Sequence, residues 1–153
     1  MKRLKIIRVH IVATIIAVLT ISSFFTISLI AEINGNHLFI KQVKTGILYC
    51  LPIMIIAMPI LMLTGKKLAG SSKSPIIIKK MKRMKLITFN GMILISLAIY
   101  LYYQAVYIAI DSTFLYVQIA ELCMGALNLT LISSNIKLGM KLSGRGRKKE
   151  KVL

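Results

Sequence analysis

Four long uncharged runs dominate this chain, and they leave little choice of fold. They cover residues 9–31, 45–65, 86–110 and 112–136, and the last is broken only by Glu121. A helix that crosses a bilayer needs about 20 predominantly apolar residues. All four runs meet that length. The expectation is an all-α integral membrane protein, a four-transmembrane-helix bundle forming one membrane domain over residues 1–153. Of its 153 residues 57% are hydrophobic, against roughly 45–50% in soluble domains. The runs fill most of the chain and leave no room for a soluble catalytic domain.

A net charge of +17 suggests nucleic acid at first sight. The placement of the charges argues otherwise. Of 21 basic residues, all but Lys41 and Lys44 fall in the N-terminal segment, in the loop 66–85, or in the tail 137–153. A four-span topology puts those three regions on one side. The positive-inside rule makes that side cytoplasmic, with both termini there. The basic excess then reads as topology and as attraction to anionic headgroups, at about 1 kcal/mol per residue near the surface. The Arg145–Lys151 tail has no aromatic residue for base stacking, so no nucleic-acid partner is expected. The implied location is a membrane, crossed several times.

The first run follows a charged segment, as in a signal peptide. It is 23 residues long, beyond the roughly 7–15 residues of a signal core. Leu29 also stands where a cleavage site after Ala31 would need a small residue. The run reads as a retained first span. Cys50 and Cys123 form no Cys-x-x-Cys motif and read as small packing residues.

Within the spans, Ser22, Ser23 and Thr26 are residues of the kind that let helices approach and hydrogen-bond. Asn34-Gly35-Asn36 is a turn signal. Leu38 to Lys44 reads as a short mixed segment at the interface, ahead of the second span. Pro52 and Pro59 lie seven apart on one face of that span and each removes a backbone donor. Gly70-Ser71-Ser72 and Ser74-Pro75 mark a linker between two hairpins. The connection at Asp111-Ser112 is so short that the third and fourth spans must be antiparallel neighbours.

The chemistry gathers on the fourth span. Gln118, Glu121, Gly125, Asn128 and Asn135 fall at offsets 0, 3, 7, 10 and 17, the spacing of one a/d seam. The third span offers Asn90, Gln104 and Asp111 at multiples of seven, with Tyr100, Tyr103 and Tyr107 beside Gln104. At about 1.5 Å per residue, Gln104, Gln118 and Glu121 sit at similar depth below the shared hairpin. The candidate ligand- or ion-binding cluster is therefore Glu121, Gln118, Gln104, Asn128, Tyr103 and Tyr107. Two readings compete. In the first, a hydrogen-bonded Glu121 and the amides hold helices together, at about 0.6 kcal/mol per bond. In the second, Glu121 binds and releases a proton or cation, or anchors a polar ligand. Amides explain themselves as glue; a glutamate does so poorly, because glutamine would serve.

No other constellation rises above these. His10 and His37 belong to opposite ends of the first span and its following loop, about 30 Å apart, so they cannot share a haem or a metal. No metal ligand set, catalytic triad, metalloprotease motif or phosphate loop is present. No cofactor and no catalytic residue are expected, and an enzyme is disfavoured.

The residues Met84, Asn90-Gly91, Gln118, Glu121-Leu122, Gly125, Asn128-Leu129, Asn135, Gly139 and Leu142-x-Gly144-Arg145 carry a resemblance. The stretch from Met84 to Arg145 resembles a group of small four-span bacterial inner-membrane proteins usually called uncharacterised. The resemblance implies that the stripe on the fourth span is a family feature and implies no activity. The leading expectation is an accessory or interaction subunit of a membrane complex, either a homo-oligomer or bound to a partner membrane protein. The alternative is a small proton- or cation-coupled transporter using Glu121.

Overall fold

The computed structural model describes residues 2–142. Among them are four long helices and no strand: α1 Lys2–Asn34, α2 His37–Ala69, α3 Pro75–Tyr103 and α4 Ser112–Leu142. The end of α3 widens into a π-helical turn, Gln104–Ile108. The helices extend past the apolar runs that announce them. At ~1.5 Å per residue, the 33 residues of α1 reach well beyond a ~30 Å hydrocarbon layer.

Local chemistry sets the boundaries. Gly35 turns between α1 and α2 at a φ of 68°, in the left-handed region that glycine adopts freely. Asn36 then caps α2, its Oδ1 accepting from the Leu38 and Phe39 amides at 2.9 and 3.2 Å. Residues 38–44, expected to precede the second span as a separate segment, are therefore its first two turns. The loop expected over 66–85 shrinks to residues 70–74, because α2 runs on to Ala69 and α3 begins at Pro75. Proline suits that first position, where no amide donor is needed. Asp111 caps α4 by accepting from the Phe114 amide at 2.9 Å. Pro52 and Pro59 lie inside a continuous α2 and face outward.

The helices pack in ring order. α1 lies on α2, α2 on α3 and α3 on α4, and a sparser α4–α1 contact closes the ring. Each helix buries a seam of a/d type. On α4 it is Phe114, Gln118, Glu121, Gly125, Asn128 and Ile132. On α1 it includes Ala13, Ala17, Ser28 and Ala31, small residues that let the backbones approach. One end of the bundle holds the two tight hairpin turns and is called the hairpin end. The other, with the linker 70–74 and nearly all the lysines and arginines, is the basic end.

The exterior departs from that of a water-soluble bundle, and the mostly apolar core also holds several polar groups. Large apolar side chains stand exposed along every helix, among them Leu19, Ile56, Phe89 and Tyr116. The interior holds Ser28, Lys44, Asn90, Gln104, Gln118, Glu121 and Asn128. Water would not tolerate so continuous an apolar exterior. All four helices are long and apolar enough to cross a membrane.

Candidate functional site: a buried ion pair beside a partly open cavity

The α4 seam carries Glu121 into the bundle about nine residues, or ~13 Å, from the hairpin end of its helix. Lys44 enters from the opposite side. Because α2 begins at His37, Lys44 stands seven residues inside it, between Ile40 and Ile47 on the buried face. Its side chain is 2% exposed, and Nζ meets Glu121 Oε2 at 2.6 Å. The pair crosses the bundle on the diagonal between α2 and α4. Ser28 of α1 accepts from Lys44 Nζ at 3.3 Å. Gln118 Nε2 donates to Glu121 Oε2 at 3.1 Å. Four side chains from three helices thus form one network.

An isolated charge at this depth would carry a severe desolvation cost, which the opposite charge and the flanking hydrogen bonds offset. Lys44 belonged on the outer surface in the sequence reading, with Lys41. The structure corrects this: Lys41 is exposed, while Lys44 is among the most deeply buried large side chains. The signal for it was present. An Asn36 cap starts the helix early enough to put Lys44 in register with Ile40, Ile47, Leu51, Met54 and Met58.

The other expected site residues divide. Gln118 joins Glu121. Gln104 is buried but turns to the hairpin, where its Nε2 lies 3.4 Å from Asp111 Oδ1. Tyr103 and Tyr107 face outward, 53% and 65% exposed. Their rings pack on each other at 5.4 Å, and neither hydroxyl enters the network. Asn128 lies two turns beyond Glu121 along the same seam. The Phe114 backbone N–H, with help from Gln104, holds the Asp111 carboxyl below the usual carboxylate range.

The two flanks of the ion pair differ. Toward the hairpin end it is sealed by a close-packed core that includes Leu101 and Phe114, both 0% exposed. Toward the middle of the bundle it opens on a cavity of about 60 Å³, lined by Ser28, Met58, Gly91, Glu121, Gly125 and Asn128 among mostly apolar neighbours. One water needs about 10–15 Å³ by the same measure, so the space suits a few waters or a small solute. Asn128 is 0% exposed, and neither Oδ1 nor Nδ2 has a protein partner. A buried amide without partners is rare and costly, and this one lies at the edge of the cavity.

His10 is tied elsewhere. Its Nδ1 lies 2.8 Å from the Thr64 hydroxyl, which donates to the Ile60 carbonyl. His37 opens α2 and is exposed. Among the described residues no group of three or more His, Cys, Asp or Glu side chains gathers. Cys50 and Cys123 are free and exposed, so they do not pack in the core. The Arg145–Lys151 tail and the Gly144-Arg145 part of the resemblance lie outside the described residues. Comparison with family models, curated proteins and solved structures gives no match.

Proposed function

We propose that this chain is a small multi-pass protein of a bacterial inner membrane, and that it works as a proton- or cation-coupled carrier at the Lys44–Glu121 pair. One observation carries the reading: the pair has a cavity on one flank, and Asn128, whose amide has no partner among the described residues, is among the residues that line it. A pair that served only to join helices would be packed on every side. Ionisable residues inside a membrane bundle commonly mark the path of an ion or polar substrate. A proton or cation arriving at Glu121 competes with Lys44 for the carboxylate, so occupancy and release are linked. The basic end faces the cytoplasm in this reading, and the tyrosines near the hairpin end form the opposite interfacial belt.

The test is flux in proteoliposomes loaded with a pH-sensitive dye, with imposed Na⁺ or K⁺ gradients. Wild type is expected to move protons against a cation gradient. Glu121→Gln is expected to fall to the level of empty vesicles while remaining helical and monodisperse. Equal flux from wild type and Glu121→Gln would end the carrier reading.

A second reading, the accessory subunit, has its own support. Ser22, Ser23 and Thr26 lie on the outer side of α1, with Ile27 and Ile30, in a shallow groove. Hydroxyls on a lipid-facing surface suit a neighbouring helix. Purification in mild detergent should then yield a stoichiometric membrane companion, lost when Ser23 and Thr26 become leucine. A companion-free preparation would remove this reading.

A further inference from the structure

At the basic end a second group of side chains converges, remote from the ion pair. Lys80 lies near the start of α3, half-buried, with its Nζ against the α4 backbone at Gly139. A Cβ built on that glycine would stand 3.2 Å from the amine. Met84, one turn along the same face of α3, packs its sulfur over Gly65 of α2. The His10 ring of α1 borders the same glycine, 3.5 Å from where its Cβ would be. His10 lies within electrostatic reach of Lys80. All four helices therefore meet around one amine and one imidazole.

Neither group is neutralised by an acid among the described residues. Lys80 Nζ has no hydrogen-bond or ion-pair partner among the described residues, and His10 bonds through Nδ1 alone. The acids of the described chain are Glu32, Asp111 and Glu121, all toward the hairpin end. The half-buried amine contrasts with its neighbour Lys79, which is exposed. Gly139 matters here because a Cβ in its place would press on the amine, which would have to give by a few tenths of an ångström, and a branched side chain would take more of its room.

We infer that this convergence is a binding site for a phosphate group, held by the Lys80 amine over the small surface at Gly139. A phosphate supplies the missing negative charge and several strong acceptors for an ammonium donor. Its source is the headgroup of an anionic phospholipid, an assignment that rests on the basic end facing the anionic leaflet. A soluble phosphate reaching the same end is the other source of the same chemistry. The site does not depend on the Lys44–Glu121 pair being a carrier.

The experiment uses the full chain in detergent. Native mass spectrometry follows binding of phosphatidylglycerol, of phosphatidylcholine and, separately, of inorganic phosphate. Phosphatidylglycerol is expected to bind more tightly than phosphatidylcholine. Lys80→Met should weaken that binding about fivefold or more, Gly139→Val should do likewise, and Lys80→Arg should restore most of it. Lys79→Met, one residue away but exposed, should leave it within about twofold. Binding of inorganic phosphate with the same variant pattern supports the site and assigns the soluble source. Equal losses in Lys79→Met and Lys80→Met, or no preference for a phosphate-bearing anion, would overturn it. Circular dichroism on each variant separates lost binding from lost folding.

Discussion

The halves of the bundle on either side of the cavity solve the same problem differently. Toward the hairpin end, every buried polar side chain has at least one partner in the protein, though Gln118 Oε1 has none among the described residues. Lys44, Glu121, Ser28 and Gln118 bond to one another, Gln104 reaches Asp111, and Leu101 and Phe114 close the space around them. Toward the basic end, the amides are only partly answered. Asn90 donates to the Met124 carbonyl at 2.8 Å, yet among the described residues its Oδ1 has no partner, nor has that of Asn135, and Asn128 has neither atom paired. Packing follows the same division. Met58 and Met84, both flexible, fill the spaces over Gly91 and Gly65. One half is closed and largely satisfied internally, with Gln118 Oε1 as its buried atom lacking a partner among the described residues; the other is adaptable and has more polar capacity to spare. Sites that must admit something belong in the second kind of region.

The sharpest way to break this comparison is to break the ion pair. Lys44→Met leaves a buried carboxylate unpaired and is expected to cost about 3–5 kcal/mol, read as a shift in an SDS-induced unfolding curve. The double variant Lys44→Met, Glu121→Met should recover more than half of that, since the paired charges offset each other and not the bundle at large. A double variant as weak as the single would mean that the charges hold the fold by other contacts.

Phe114→Ala, in the sealed half, is expected to cost about 3 kcal/mol by the same assay. Asn128→Leu, in the open half, should be neutral or stabilising by about 1–3 kcal/mol, because it removes an unanswered buried amide. If Asn128→Leu is instead clearly destabilising in ligand-free detergent, the amide has partners the cavity reading denies it. Gly91→Ala is expected to shift stability by under about 1 kcal/mol, because only the flexible end of Met58 must move aside. A large loss there would make the basic half as rigid as its counterpart.

The smallest expected effect is at the α4 cap. The Asp111 carboxyl is held below its unfolded value by the Phe114 amide. A depressed acid contributes stability above its unfolded pKa and loses that contribution as pH falls through the folded one. Wild type should therefore show a slight fall in melting temperature on acidification that Asp111→Ala does not share.

Much of this was legible in the residues. The number of helices follows from run length, and the seam on α4 from spacing: Gln118, Glu121, Gly125 and Asn128 all lie buried on one face. The two tyrosines were misread for a physical reason. Helical spacing places Tyr103 and Tyr107 beside Gln104, but it cannot say which side of the helix faces inward, and the π-helical turn at Gln104–Ile108 changes the register there. Lys44 was missed because a hydropathy reading treats a lysine at the edge of an apolar run as its boundary. The cap at Asn36 would have placed it inside.

The sequence by itself determined four long helices, a basic end, and a lone acid on a polar seam, because length, charge and period are local properties of the chain. Only the tertiary structure decided what that acid meets. Lys44 is 77 residues away and reaches Glu121 across the diagonal of the ring. Which helices are neighbours, and how deep each one starts, are set by packing and capping together. The same packing leaves the cavity beside the pair, since Gly91 and Gly125 contribute no side chain to it and Met54 and Met58 fill it only in part.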